Sequence, residues 1–144
     1  MNTITILKAQ EEHIDGMEKI HLSYFAEIGE KAGSIRSSFG QKDKLSLVAL
    51  DSNSNVVGYI ISSTYGAHNY FEWFGVAEKR KGIAQALFIE YENELKNLKV
   101  TESSLATRNR FKDAIIFYIK SGYEIKGIFQ GSDGDLMIQL RKIL

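Results

Sequence analysis

The chain has 144 residues, with 18 basic and 18 acidic side chains in balance, and contains neither proline nor cysteine. That length suits a single domain spanning residues 1–144, able to bury about two-thirds of its unfolded surface. Hydrophobic residues make up 44% of it, which suits a folded core and excludes wholesale disorder. Without cysteine, disulfide frameworks, thiolate zinc sites and cysteine nucleophiles are excluded, and a cytoplasmic location is the natural expectation. Residues Met1–Gln10 lack the charged start and apolar segment of a secretion signal, and no apolar run approaches the roughly 18 residues of a membrane span. Zero net charge speaks against a general nucleic-acid binder, which carries a basic excess.

In chain order, Thr3–Leu7 alternates enough for a short strand. Ile14, Met17, His21, Tyr24, Phe25 and Ile28 then recur at helical spacing, predicting one amphipathic helix or two short ones over Glu11–Ile28. Gly29–Lys44 is polar and glycine-bearing and reads as a long loop with room for a helical turn. Leu45–Leu50 and Val56–Thr64 are apolar, β-branched runs joined by a turn at Asp51–Asn55, and Asn69–Val76 is a third strand, dense in aromatics. Gly82–Leu98 is the clearest helix, with Ile83, Leu87, Tyr91, Leu95 and Leu98 in one stripe. A short strand at Ser103–Thr107, a short helix at Lys112–Lys120 and a closing hairpin of Tyr123–Phe129 with Asp135–Arg141 complete the chain; Leu136, Ile138 and Leu140 fall on one face of the last strand. Three consecutive strands imply an antiparallel meander, and the strand-helix-strand run from Asn69 to Thr107 implies a parallel crossover. The expected fold is therefore α/β, a mixed and mostly antiparallel sheet with helices on its faces.

The most informative segment is Phe74–Ala84 (FGVAEKRKGIA), in which an apolar strand meets a short basic turn and then the start of a helix. The first N–H groups of a helix have no intrahelical partner, and the helix dipole puts partial positive charge there. Gly82 and Ala84 leave room for a diphosphate to approach the backbone, and Lys79, Arg80 and Lys81 add formal charge. The nucleotide-binding patterns G-x-x-x-x-G-K-[ST] and G-x-G-x-x-G are both absent.

These residues resemble the acetyl-CoA signature of the GCN5-related N-acetyltransferase (GNAT) family: an apolar strand ending in Val, then [Q/R]-x-x-G-x-[G/A] opening a helix. Lys79-Arg80-Lys81-Gly82-Ile83-Ala84 matches it with Lys in the first position. A second family landmark, A-x-x-[F/L]-Y-x-x-x-G-[F/Y], is similar to Ala114, Phe117, Tyr118, Gly122 and Tyr123. The element order agrees over essentially the whole chain. Two departures stand out. The turn between Val76 and Lys79 is shorter than the common family form and lacks its frequent proline, and the family's usual Asn falls on Phe111, with Asn109 two residues earlier.

The resemblance implies a sheet splayed at a cofactor cleft and an acetyl-CoA-dependent N-acetyltransferase that moves the acetyl group directly to a primary amine of a small molecule or peptide. It implies that backbone groups of Phe74, Gly75 and Val76 pair with the pantetheine arm, and that an N–H near Val76 polarises the acetyl carbonyl. The N–H groups of Lys81 to Ala84 would hold the diphosphate, with Asn109 and Phe117 among the remaining cofactor contacts. Arg108, Arg110 and Lys112 are candidates for the adenosine 3′-phosphate. Tyr118 matches the family's general acid, which protonates the departing thiolate; the competing reading is a core tyrosine among Ile115, Ile116, Phe117 and Ile119.

Glu72 lies four residues before Val76, on the same strand face if no bulge intervenes. Among Tyr70, Phe71, Trp73 and Phe74 it would be partly desolvated, which strengthens a carboxylate as a base. An outward-facing surface glutamate is the alternative, and His68 is another candidate base. His21 reads as a packed core residue and His13 as a surface one; the three histidines lack metal-ligand spacing, so no metal is expected. Asp51–Asn55 imitates the start of a calcium loop, but Val56 replaces its required Gly and Ser62 its bidentate Glu. The acceptor would be lined by Tyr24–Phe39 and Phe129–Asp135, where Glu27, Glu30, Asp133 and Asp135 could attract a cationic amine. A monomer or homodimer without nucleic-acid or membrane partners is expected. The competing function is a catalytically silent GNAT-fold module that binds CoA or regulates a partner, and a third is an α/β nucleotide-binding module without acyl chemistry.

Overall fold

The structure is a computed structural model that describes residues 3–26 and 33–144. Its strands are β1 (Thr5–Lys8), β2 (Lys44–Leu50), β3 (Val56–Tyr65), β4 (His68–Val76), β5 (Glu102–Arg108), β6 (Glu124–Gln130) and β7 (Leu136–Ile143). The helices are α1 (Ile14–Phe25), entered through a 3-10 turn at Glu11–His13, α2 (Ser34–Ser38), α3 (Ile83–Asn97) and α4 (Lys112–Lys120). The strands form one sheet in the order β1-β2-β3-β4-β5-β7-β6, antiparallel throughout except where β4 meets β5. The expected meander, crossover and closing hairpin are all present.

Strand alternation sorts the apolar residues into two layers. Leu45, Leu47, Ile60, Leu105, Ile138 and Leu140 turn toward α3 and α4 and pack with Ile83, Leu87, Phe88, Tyr91, Leu95 and Tyr118. Val48, Leu50, Tyr59 and Ile61 turn the other way, onto Ile14, Met17 and Ile20 of α1 and Ile35 of α2. Two glycines set how closely the helices approach. A Cβ on Gly58 would stand 2.8 Å from Ile83 and 2.9 Å from Leu87, and one on Gly75 would stand 2.9 Å from Ile20. Their absence lets the start of α3 rest on β3 and the C-terminal half of α1 rest on β4.

Some expectations from periodicity need correction. Leu98 is 51% exposed, because α3 ends at Asn97 and Leu98 stands beyond its last turn. Leu136 is 46% exposed at the mouth of the hairpin, while Ile138 and Leu140 are buried. His13 is buried rather than on the surface, and its Nδ1 accepts the backbone N–H of Gln10 at 2.9 Å to cap the 3-10 turn. His21 is the packed residue expected, with its ring nitrogen 2.7 Å from the Tyr59 hydroxyl. The predicted helical position Ile28, and Glu27 and Glu30, lie outside the described residues.

A buried polar network marks where β4 and β5 join. Asn69 donates to Ser62 at 3.0 Å and to Thr64 at 2.9 Å, and accepts from the Tyr91 hydroxyl. Across the junction Ser103 meets the Tyr123 hydroxyl at 2.8 Å. Burial pushes the Tyr123 phenol up to about 12 from 10.0. The phenol holds its proton in the folded chain after the unfolded chain has lost it, so this contribution to stability is intact below pH 10.0 and falls away between there and about 12. Chemical denaturation followed across that range should show a steep loss of stability for the native chain and a shallower one for Tyr123→Phe.

Candidate active site

The cleft follows from a break in pairing. β4 and β5 are hydrogen-bonded only at His68, Asn69 and Tyr70, opposite Glu102, Ser103 and Ser104. Beyond Tyr70 the strands part and leave a cleft of 710 Å³ between β4 and the start of α3 on one side and α4 on the other. Ala77 N–H donates to Val57 C=O at 2.8 Å, so Ala77 and Val57 form a hydrogen-bonded pair of the antiparallel ladder. Alternation then turns the N–H and C=O of Val76 and Phe74 away from β3 and toward the gap, whereas those of Gly75 serve the ladder. Of the three residues expected to offer backbone groups to the pantetheine arm, two are oriented for it. Gly75 contributes space.

At the cleft mouth the chain turns from β4 into α3 within Ala77–Gly82. Arg80 at φ 64° and Gly82 at φ 77° take left-handed conformations, which compress the turn and dispense with the missing proline. No side chain caps α3, and the first intrahelical acceptor, Gly82 C=O, is met by Ala86 N–H. The N–H groups of Ile83, Ala84 and Gln85 therefore remain free of intrahelical partners, beside Lys79 and Arg80. An anionic diphosphate fits this arrangement on chemical grounds.

Phe74, Gly75, Val76, Lys79, Arg80, Gly82, Ile83, Ala84, Phe117 and Tyr118 all line the cleft. Lys81 and Asn109 do not. Lys81 is exposed beyond the turn. Asn109 is held elsewhere, its N–H donating to Leu136 C=O at 2.8 Å and its Oδ1 accepting from Lys112 at 2.9 Å, and Phe111 walls the cleft in its stead. Arg110 and Lys112 reach the cleft, but Arg108 is spent on the hairpin, donating to Asp133 at 2.5 Å and to Asp135 at 2.6 Å. The backbone N–H of Asp135, and then Arg108, hold the Asp133 carboxyl below its ordinary range. Both aspartates are thus paired rather than offered to a cationic amine.

Tyr118 sits at the inner end of the cleft, 5% exposed among Phe71, Phe74, Phe88 and Phe117. Its hydroxyl has no hydrogen-bond partner among the described residues, yet no sealed side-chain oxygen or nitrogen among them lacks one, so the hydroxyl must open into the cleft. Desolvation, with a smaller contribution from Tyr123, drives its pKa far up, which keeps the phenol protonated.

Glu72 requires correction. A β-bulge at this point pairs Ile61 with Trp73 and Ser62 with Phe71, leaving Glu72 as the extra residue. The bulge moves it off the face of Val76 and onto the face covered by α1. There its Oε1 accepts from the Lys44 ammonium and the Ser63 hydroxyl, while Oε2 has no partner among the described residues. The aromatic surroundings expected for it give way to an ion pair. His68 lies at the closed end of β4, bonded to Ser104 at 2.8 Å and away from the cleft walls.

The acetyltransferase (GNAT) family profile matches residues 10–123. The chain belongs to the GNAT acetyltransferase family. Members use acetyl-CoA, and the chain is an N-acetyltransferase of this kind. Comparison with curated protein sequences yields no match. Among solved structures, the ribosomal-protein-S18-alanine N-acetyltransferase of Escherichia coli is similar over 99% of this chain and 94% of its own, at 19% identity and a TM-score of 0.82. The aminoglycoside 6′-N-acetyltransferase of Enterococcus faecium covers 96% of each chain at 17% identity and 0.79. The PaiA N-acetyltransferase of Thermoplasma acidophilum, solved with coenzyme A, covers 99% of each at 18% and 0.78. At these identities the likeness speaks for the fold. No helix among the described residues is long and apolar enough to cross a membrane, and no group of possible metal ligands occurs among them.

Sequence reasoning set Tyr24 and Phe25 at the start of the acceptor lining, and both wall the cleft, but it missed Phe111 as a cleft wall. The helical stripe contained the first two, yet nothing in the stripe distinguishes core from cleft. Gly82→Ala should strain the turn by about 1 kcal/mol and weaken acetyl-CoA binding about tenfold in calorimetry. Unchanged affinity would show that the free N–H groups of α3 do not meet the diphosphate.

Proposed function

We propose that the chain transfers the acetyl group of acetyl-CoA directly to a primary amine of a small molecule or peptide, with no covalent enzyme intermediate. The observation that carries this reading is the pairing, in one cleft, of a backbone N–H on the free edge of β4 with a protonated Tyr118 hydroxyl that has no partner among the described residues. The thioester supplies an activated acyl group. Val76 N–H donates to the carbonyl oxygen as negative charge grows there. The amine nitrogen forms its bond to the carbonyl carbon, the carbon–sulfur bond breaks, Tyr118 gives its proton to the departing sulfur, and the second proton shed by the nitrogen restores the phenol. Because its pKa is raised, Tyr118 remains a hydrogen donor throughout the neutral range and imposes no alkaline limb there.

The proton lost by the acceptor ammonium passes to Glu72. Glu72 stands outside the residues that line the cleft, so the proton reaches its Oε2 through water, with Lys44 and Ser63 fixing Oε1. Lys79, 3.3 Å from Asp113 across the cleft mouth, exchanges that partner for a phosphate oxygen. The pair is exposed and therefore cheap to separate. The cysteine-free composition supports a cytoplasmic enzyme.

Calorimetry should show acetyl-CoA binding where ATP does not bind; absence of acetyl-CoA binding at high micromolar concentration would overturn the reading. With an amine that turns over, found by CoA release against amines, peptides and polyamines, Tyr118→Phe should lower kcat about 100-fold at unchanged acetyl-CoA affinity. Glu72→Gln should lower kcat about 100-fold, and an unchanged kcat would retire Glu72 as the base.

A further inference from the structure

An extended strand turns the N–H and C=O of a given residue to the same side. The free edge of β4 therefore offers Val76 N–H to the cleft together with Val76 C=O, and the second group is unwelcome. A bare carbonyl oxygen beside a developing oxyanion repels it, most strongly where water is excluded. In an intact sheet a neighbouring strand would quench that carbonyl, but β5 has already departed after Ser104. The structure supplies another donor. Tyr24, on the last turn of α1, lines the cleft and donates its hydroxyl proton to Val76 C=O at 2.6 Å. Gly75 makes the reach possible, since a Cβ there would press on Ile20 and Tyr59 and come within 3.5 Å of the Tyr24 ring. The peptide between Val76 and Ala77 is then pinned at both ends, by Tyr24 on its oxygen and by Val57 on its nitrogen.

We propose that Tyr24 is a positioning residue for acetyl transfer: its hydroxyl masks the Val76 carbonyl, so that Val76 faces the thioester as a hydrogen donor alone. Tyr24 acts through the strand and takes no proton from the reactants. The proposal rests on the acetyltransferase reading but is tested without knowing the acceptor.

The test is infrared difference spectroscopy of acetyl-CoA labelled with carbon-13 at the acetyl carbonyl, bound to the full chain. A hydrogen bond from Val76 N–H lowers the carbonyl stretching frequency, and an exposed neighbouring carbonyl opposes that shift. Tyr24→Phe keeps the ring and removes the proton. It should reduce the red shift by half or more while leaving acetyl-CoA affinity within twofold, and should lower kcat about tenfold at unchanged acetyl-CoA KM for any amine that turns over. Installing 3-fluorotyrosine at position 24, a stronger donor, should enlarge the shift and guards against a folding defect in the first variant. A red shift equal in the native chain and in both variants would overturn the proposal. So would a Tyr24→Phe chain that loses acetyl-CoA affinity and red shift in parallel, since Tyr24 would then be a binding contact. Failure of the native chain to bind acetyl-CoA would instead sink the acetyltransferase reading, leaving the two failures distinguishable.

Discussion

Where β4 and β5 separate after Tyr70 and Ser104, the sheet gives up backbone hydrogen bonds in its interior, and the architecture around that point compensates for the loss. The two strands are the parallel pair, joined by the long crossover through α3, so no tight turn forces them together at their far ends. At the near end Asn69, Tyr91, Ser103 and Tyr123 form a satisfied polar network that holds the apex closed. Orphaning any of these buried groups is costly, so the network defines where pairing stops as firmly as where it starts. Beyond the apex, Phe71, Phe74, Phe88, Phe117 and Tyr118 fill the floor with interlocking rings. The cleft is thus a designed gap in the ladder, flanked by uncapped N–H groups at the start of α3.

Charge is allotted around this gap by pairing. Arg108 is committed to Asp133 and Asp135 and ties the β6–β7 hairpin to the end of β5. Lys44 is committed to Glu72 and secures the bulge in β4. Among the described residues Lys79 is held only by an exposed aspartate, and Arg80 stands beside it at the cleft mouth. The partly buried pairs shape the site, and the exposed cations remain available for an anion, as the difference in desolvation cost requires. A chain of zero net charge accordingly presents a locally basic entrance.

The donor half of the site was legible because its physics is local. A strand, a short basic turn, Gly82 and an amphipathic helix lie within a dozen residues, and free N–H groups at a helix start follow from helix geometry alone. The helix Lys112–Lys120 was read with its boundaries correct, since Ser121-Gly122 stops it abruptly. Glu72 shows the opposite case. Its side depended on strict alternation over four residues, and one extra residue in β4 moved it to the face covered by α1, with no local signal to announce the bulge. Asn109 and Arg108 were misjudged for a related reason: their partners, Leu136 C=O, Asp133 and Asp135, come from a hairpin distant in sequence.

The sequence by itself therefore determined the order of elements, the sheet with helices on its faces and the basic turn before α3, each of which rests on periodicity or on groups a few residues apart. Only the tertiary structure decided which edge of β4 is free, which oxygen of Glu72 is open, and that Tyr24 meets the Val76 carbonyl. Those outcomes depend on register and on the close approach of α1 across Gly75, and both are set by packing over the whole sheet.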